Sequence, residues 1–160
     1  MTFKKKFDDA AGKVCEALIP VKHEIFKGKG REVAICTLGS IDLLERVSRS
    51  EMIMDRVAIA GRLLSENKGI DAIIDYVSAH PDLKRIVVCG REVKGHMAGQ
   101  ALLALHRKGI DGQGRIIGAE GPYPALLSPR EKVEAFRRQV EITDMTGVTD
   151  LEKIAQLLIA

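Results

Sequence analysis

Short apolar runs alternate with helical patterns along this chain, and glycine or proline separates most of them. The clearest buried strands are predicted over residues 32–37 (EVAICT) and 86–89 (IVVC), because each is a short apolar run that ends at a glycine turn. Weaker strand patterns occur at residues 23–26, 115–118 and 139–143.

Helical patterns fill the intervals between these runs. Apolar residues recur at helical spacing over 98–108, where His, Arg and Lys precede Gly109 as at a normal helix C-terminus. Ser128, Pro129 and Glu131 predict a helix start with Ser128 as N-cap, and this helix runs to about residue 138. The other predicted helices cover residues 7–18, two short segments of 41–64 around Ser48–Ser50, residues 70–78, and a last helix capped by Thr149 or Asp150.

Strands that alternate with helices predict an α/β fold with right-handed crossovers. We therefore expect a Rossmann-like three-layer sandwich with a mostly parallel central sheet. The 160 residues are 46% hydrophobic, enough for one buried core, so a single domain over residues 1–160 is predicted.

Composition also limits the partners and the cellular location. No apolar run approaches the roughly 20 residues of a membrane helix, and the start MTFKKKFDD lacks a secretory apolar segment. We expect a cytoplasmic protein without membrane insertion, and three scattered cysteines suit a reducing compartment. The net charge of +3 and the absence of Trp give little support for nucleic-acid binding.

Three predicted strand ends are expected to meet at one edge of the sheet, where glycine lets a ligand approach the backbone closely and helix N–H groups are free. They lie at residues 37–40, 89–96 and 118–121. A nucleoside triphosphate is not supported, because His96 and Met97 replace the Lys and Ser/Thr that must follow Gly95 in a phosphate loop. No GxGxxG follows a strand, so a dinucleotide has no specific support either.

His96 stands at the tip of the second of these loops, after Gly95 and before a helix. From spacing alone it can be an ordinary polar loop residue in a cofactor-free interaction domain. It can also belong to a zinc-dependent hydrolase or lyase, with Cys36, Cys89 and His96 as ligands and Glu120 as base. The spacing does not decide between these alternatives.

Several strings of the sequence resemble one known family. They are TLGS (37–40), VAIAG (57–61), SENKGI (65–70), VVCGREVKGHMAGQAL (87–102), RIIGAEG (115–121) and FRRQVEITDM (136–145). In this order they resemble the cytoplasmic, corrinoid-binding domain of the A subunit of tetrahydromethanopterin S-methyltransferase from methanogenic archaea. The resemblance covers about residues 31–150, so residues 31–160 are expected to be the family-like core and residues 1–30 an N-terminal extension.

The resemblance implies a cobalamin cofactor, with His96 of the KGH motif as the lower axial ligand to cobalt. It implies a methyl carrier of one-carbon metabolism, which accepts a methyl group on cobalt and passes it to a thiol such as coenzyme M. The Asp-x-His-x-x-Gly motif of most cobalamin modules is matched only in half by His106–Gly109, which favours His96. The residues expected to contact the cofactor are Thr37, Leu38, Gly39, Ser40, Ala60, Gly61, Cys89, Gly90, Lys94, Gly95, His96, Gln100, Gly118, Ala119, Glu120 and Gly121.

The chain departs from the family in two expected respects. The family's protein ends in a membrane anchor, which is not expected in this chain. The connection over residues 41–56 looks longer than its counterpart, and its charged part from Glu45 to Arg56 is a candidate contact for partner methyltransferase subunits or enzymes.

Overall fold

The structure is a computed structural model, and it describes residues 25–159. The predicted helix over 7–18 and the first two residues of the predicted strand at 23–26 lie outside this range. The strands are β1 (Ile25–Lys27), β2 (Val33–Cys36), β3 (Ile59–Gly61), β4 (Arg85–Gly90) and β5 (Glu141–Thr146). The helices are α1 (Ile41–Arg49), α2 (Glu51–Met54), α3 (Lys68–Ala79), α4 (Ala98–Lys108), α5 (Arg130–Gln139) and α6 (Leu151–Ile159).

The five strands form one sheet in the order β1-β3-β2-β4-β5. Strand β1 runs antiparallel to β3, and the remaining neighbours are parallel. The prediction of an α/β fold with a mostly parallel sheet is therefore confirmed.

Alternate residues of the central strands enter two separate buried clusters. In β4, Ile86 and Val88 join the cluster beneath α3, α4 and α5. Val87 and Cys89 join the cluster that contains residues of α1, α2 and α6. Because successive side chains of a strand point to opposite faces, the sheet is buried on both sides, and this explains why its central strands are continuously apolar.

The strand order reverses between β2 and β4. The chain leaves β2 through α1 and α2 to reach β3 on one side, whereas β4 lies on the other side of β2 and continues through α4. Loops that follow two such strands diverge, and the crevice between them is where open α/β sheets bind ligands. The loops at residues 37–40 and 91–97 therefore occupy the natural binding edge of this sheet.

Two predictions were wrong: one segment predicted as helix is a strand, and one segment predicted as a strand is not. Residues 59–61 were assigned to a short helix, but they form β3, which pairs with both β1 and β2. Residues 115–118 were predicted as a sheet strand, but this stretch makes only the isolated bridges Ile110–Ile116 and Arg115–Ala125. Gly114 and Gly118 have φ values of +79° and +82°, so the backbone turns at both ends of the short apolar run.

The predicted start of one helix needs correction, and that of another is confirmed. Pro129, not Ser128, precedes the first residue of α5, and the Ser128 hydroxyl instead donates to Asp71 Oδ1 at 2.6 Å. Asp71 also accepts the Ser128 backbone N–H, so this carboxylate of α3 takes the place of the predicted capping box. For α6, Asp150 caps the helix as one of the two predicted residues, since its Oδ1 accepts from Glu152 N at 2.9 Å.

Candidate functional site

His96 occupies a tight turn between β4 and α4, where the sequence predicted a loop. The N–H groups of His96 and Met97 both donate to Val93 O, at 3.2 and 2.8 Å. The turn uses left-handed backbone at Gly95 (φ +86°) and at Met97 (φ +50°), which is unfavourable for a side chain as large as methionine. The turn exposes the imidazole, and half of the His96 side-chain surface is accessible to solvent.

A buried carboxylate holds one nitrogen of this imidazole. Glu66, in the connection from β3 to α3, has no exposed side-chain surface, and its Oε2 lies 2.9 Å from His96 Nδ1. Its Oε1 accepts the Tyr123 N–H at 3.0 Å. Burial favours the neutral acid, but hydrogen bonds from its own backbone, from Tyr123 and from His96 outweigh it, so the pKa of Glu66 is lowered.

An ionised Glu66 can only accept a hydrogen bond, so Nδ1 of His96 carries the proton in this pair. The neutral imidazole then has its lone pair on Nε2. This is the arrangement by which proteins orient a metal-binding histidine, with a carboxylate behind it that also makes the ring more basic. The pair therefore leaves Nε2 of an oriented imidazole as a potential donor to a metal.

The segment over residues 118–123, here called the strap, fixes the other side of this pair. Gln100 of α4 holds it through two bonds, since Nε2 donates to Gly118 O at 2.8 Å and Oε1 accepts Glu120 N at 2.9 Å. Gly121 packs so tightly that a Cβ there would lie 2.3 Å from His96 O and 3.0 Å from Glu66 Cγ. The strap is not a strand end as predicted, but it does meet His96.

The loop after β2 is joined to the loop after β4. Gly39 N donates to Arg91 O and Arg91 N donates to Ser40 Oγ, both at 2.9 Å. A Cβ on Gly90 would lie 2.3 Å from Thr37 O, so glycine is needed for this approach. The predicted meeting of residues 37–40 with residues 89–96 at one edge is confirmed.

The N-terminus of α4 does not offer the free N–H groups that the sequence suggested. Glu92 turns back from the loop, and its two carboxylate oxygens accept from Gly99 N at 2.9 Å and Gln100 N at 2.8 Å. A carboxylate at this position satisfies the helix dipole from within the chain. An external anion is therefore not expected at this helix end.

Within residues 25–159, the buried polar or charged residues are Thr37, Ser40 and Glu66, and all three lie at this edge. Glu66 was not among the candidates from the sequence. An acidic residue just before a predicted helix is usually explained by its favourable interaction with the helix N-terminus. The only sequence feature that pointed to a role in the site was the position of Glu66 in the SENKGI string.

The predicted contact residues separate into two groups. Thr37, Leu38, Ala60 and Cys89 are completely buried, and Gly90 is the buried last residue of β4, so no side chain of this group reaches the surface of the site. The second group is accessible or lies in the loops and strap that surround His96. Its members besides His96 itself are Gly39, Ser40, Gly61, Lys94, Gly95, Gln100, Gly118, Ala119, Glu120 and Gly121.

The zinc arrangement considered from the sequence is not assembled. Among residues 25–159, no three His, Cys, Asp or Glu side chains are placed to hold a metal ion together. Cys36 and Cys89 belong to clusters on opposite faces of the sheet. Burial raises the pKa of each thiol to about 12, whereas zinc binds the thiolate.

A corrinoid makes a different demand on the donor set of the protein. The corrin ring supplies four equatorial nitrogens, so the protein needs to add one axial donor, for which an imidazole is suitable. His96 offers that donor from an exposed turn. Beside it, a Cβ built on Gly95 would have no atom of the described residues within 4 Å, so the backbone is open to a close approach at this position.

Comparison with known proteins places the chain in a family. Residues 20–159 match the model of the MtrA family, the A subunit of tetrahydromethanopterin S-methyltransferase, and the chain belongs to this family. It is 46% identical over 125 residues to the A subunit 2 of tetrahydromethanopterin S-methyltransferase from Methanothermobacter thermautotrophicus, which covers 77% of this chain and 65% of that protein. The chain thus spans just under two thirds of this relative's length.

Two other relatives broaden this picture. The A subunit of the putative methyltransferase Mtx of Methanosarcina acetivorans is 36% identical over 147 residues, covering 91% of this chain and 70% of that protein. The A subunit of the tetrahydromethanopterin S-methyltransferase of Methanocaldococcus jannaschii is 39% identical over 128 residues, covering 79% and 51%. Among residues 25–159, no helix is both long enough and apolar enough to cross a membrane.

Proposed function

We propose that this chain binds a corrinoid, cobalamin, with Nε2 of His96 as the lower axial ligand to cobalt. The pairing of buried Glu66 with His96 Nδ1 is the observation that carries the proposal. A half-exposed histidine with no task beyond solubility does not need a wholly buried carboxylate behind it, because burial of that charge is unfavourable.

When bound, the corrinoid supplies the cobalt centre that carries a methyl group. The residues of the chain have separate tasks around it. Glu66 holds the Nδ1 proton and so keeps the lone pair on Nε2. Gly95 leaves room above the turn, while Gln100 and Gly121 keep the strap against His96 and Glu66. Gly39, Ser40 and Lys94 are proposed as further contacts to the cofactor.

The reaction proposed for the chain is that of a methyl carrier. The support is the family, whose members bear the name of a methyltransferase subunit. The methyl group is proposed to come from a donor held by a partner subunit or enzyme and to leave to a thiol such as coenzyme M. The chain would thus act as one component of a methyltransferase, and its partners would be other proteins together with the corrinoid.

We also propose that the fold is a Rossmann-like three-layer sandwich. Its support is the pair of buried clusters on opposite faces of the parallel strands, with the binding edge at the reversal between β2 and β4.

Electron paramagnetic resonance of the cob(II)alamin-loaded protein tests the axial ligand. In protein labelled with ¹⁵N-histidine, coordination by His96 gives a doublet splitting from the axial nitrogen. An axial nitrogen from the unlabelled cofactor gives a triplet instead. His96→Ala is expected to abolish the doublet. The protein should stay folded with lower stability, because buried Glu66 loses one hydrogen bond but keeps its backbone partners.

His80→Gln is the matched control, because His80 is an exposed histidine whose ring lies on Tyr76, far from this turn in the chain. The doublet should survive in this variant. A triplet in the labelled wild type, or a doublet that persists in His96→Ala, rejects the assignment. Absence of bound corrinoid after reconstitution rejects the proposed function as a whole.

A further inference from the structure

An apolar cavity of about 190 Å³ lies between α3 and the strands β1, β2, β3 and β4. Its wall comes from aliphatic residues of the sheet and of α3, and the aromatic ring of Tyr76 adds to it. Gly61 and Gly69 lie on the side where β3 ends and α3 begins. No Asp or Glu is among the described residues that line it.

One charged side chain, Arg62, lines this apolar space. Its Nε atom is buried and has no hydrogen-bond partner among the described residues. Within residues 25–159, no hydrogen bond or ion pair includes the Arg62 side chain. A guanidinium has five donors and cannot lose its charge, so leaving it partly buried without an acceptor is unfavourable.

A second unsatisfied polar atom lies at the same end of the sheet. The hydroxyl of Thr37 is completely buried and has no hydrogen-bond partner in the part of the chain that the structure describes. Thr37 follows β2, and its backbone N–H donates to Gly61 O, the residue just before Arg62, at 2.9 Å. Unsatisfied buried polar atoms are rare in folded proteins, and these two lie at neighbouring strand ends. Thr37 does not line the cavity, so Arg62 is the side chain there that calls for an acceptor.

We propose that this cavity and Arg62 form a binding site for a small apolar ring or chain that carries one phosphate or carboxylate. The size follows from the volume, because an apolar cavity of about 150 Å³ holds benzene. The charge follows from Arg62, whose planar fork matches two oxygens of a phosphate or carboxylate. The apolar wall binds the body of the ligand, and Arg62 selects the anion.

This site does not depend on corrinoid binding by His96. The same chemistry, an aromatic base joined to a phosphate, is also present in the nucleotide tail of cobalamin. Arg62 begins the β3–α3 connection in which Glu66 lies, so a tail reaching from the His96 site is one source of the ligand. A free small anion is the other source.

The test uses phenyl phosphate as the probe, with the full chain labelled with ¹⁵N. Titration is expected to shift the backbone amide signals of Gly61 and Gly69 in a saturable way. Inorganic phosphate lacks the ring and benzyl alcohol lacks the charge, so each should bind at least about tenfold more weakly. Arg62→Gln should raise the Kd of phenyl phosphate about tenfold or more, whereas Arg62→Lys keeps part of the affinity.

Arg49→Gln is the control, since Arg49 is an exposed arginine of α1 and should leave the Kd unchanged. Equal binding of benzyl alcohol and phenyl phosphate overturns the site, and so does an unchanged Kd in Arg62→Gln. Nuclear Overhauser contacts between residues 1–24 and Gly69 in the ligand-free chain also overturn it, because the chain itself would then fill the cavity.

Competition then identifies the source of the ligand. Cobinamide contains the corrin ring without the nucleotide tail. Displacement of phenyl phosphate by cobalamin but not by cobinamide assigns the cavity to the tail. Retention of phenyl phosphate in the presence of both corrinoids assigns it to a free anion. If no corrinoid binds at all, the phenyl phosphate titration still decides whether the cavity is a site.

Discussion

Oε2 of Glu66 lies 2.9 Å from Nδ1 of His96, although the two residues are 30 positions apart in the chain. The contact joins the connection after β3 to the turn after β4, two strands that are separated in the sheet by β2. A fully buried carboxylate thus fixes the orientation of a half-exposed imidazole. Such a pair is pre-organised, since the ring does not have to find its orientation when a ligand arrives.

Acid is predicted to weaken the protein through Glu66. The pKa of Glu66 in the folded state lies below its ordinary value of 4.5, so the unfolded chain binds this proton more readily. The stabilisation is therefore complete above the ordinary value and is lost as the pH falls through the folded-state pKa. Urea unfolding from neutral pH to about pH 3 should show a free energy of unfolding that declines less steeply in Glu66→Gln.

Glu45→Gln is the control for this measurement, because Glu45 is an exposed side chain of α1. It should keep the decline of the wild type. If Glu66→Gln loses stability with acid as steeply as wild type, the carboxylate is not ionised in the folded protein.

Glu92 is predicted to stabilise the loop and α4 together. Its carboxylate accepts the N–H groups of Val93, Gly99 and Gln100, all between 2.8 and 2.9 Å. In Glu92→Gln one oxygen becomes an amide that faces an N–H donor, so about 1.5–3 kcal/mol of unfolding free energy should be lost. Denaturant unfolding monitored by circular dichroism measures the difference.

The exposed Glu120, whose side chain makes no hydrogen bond or ion pair within the described residues, provides the comparison. Glu120→Gln should change the free energy of unfolding by less than about 0.5 kcal/mol. A loss in Glu92→Gln no larger than this would mean that α4 does not depend on its cap.

The sequence was sufficient to predict the longer strands and helices. The run IVVC and the helix over residues 98–108 were predicted correctly, because continuous burial and helical spacing are local signals. Strand β3 was missed, since three residues at the end of an apolar run fit a helix as well as a strand. What makes it a strand is pairing with β1 and β2, which only the tertiary structure provides.

In the candidate site, too, local features could be predicted from the sequence and long-range contacts could not. The position of His96 in a turn between strand and helix followed from Gly90, Gly95 and the helical pattern after it. Its partner Glu66 could not be predicted by spacing, because their contact depends on the order of strands in the sheet. The capping by Glu92 was missed for a different reason, since the carboxylate bonds groups seven and eight residues ahead, beyond the reach of the usual capping box.

Cys36 and Cys89 are predicted to be unreactive in the folded protein. Burial raises the pKa of each thiol to about 12, so almost no thiolate is present near neutral pH. Iodoacetamide at about pH 8 should leave both unmodified in the native chain and should alkylate both in urea, as measured by peptide mass spectrometry. Rapid native alkylation of either cysteine would show an accessible thiolate and would contradict the burial of that thiol.

Gly121 is predicted to be the least replaceable glycine of the strap. A Cβ there would lie 2.3 Å from His96 O, closer than any tolerated contact, and next to Glu66. In Gly121→Ala the strap must move away, which strains the bond from Tyr123 N to Glu66 Oε1 and should lower the free energy of unfolding by about 1–3 kcal/mol. Gly112→Ala is the matched control, because a Cβ on Gly112 meets no atom within 4 Å. Urea unfolding of both variants, with the proton signal of the His96 Nδ1–H as a local probe, checks the prediction. Equal stability of the two variants, with an unmoved His96 signal, would show that the strap does not press on the histidine.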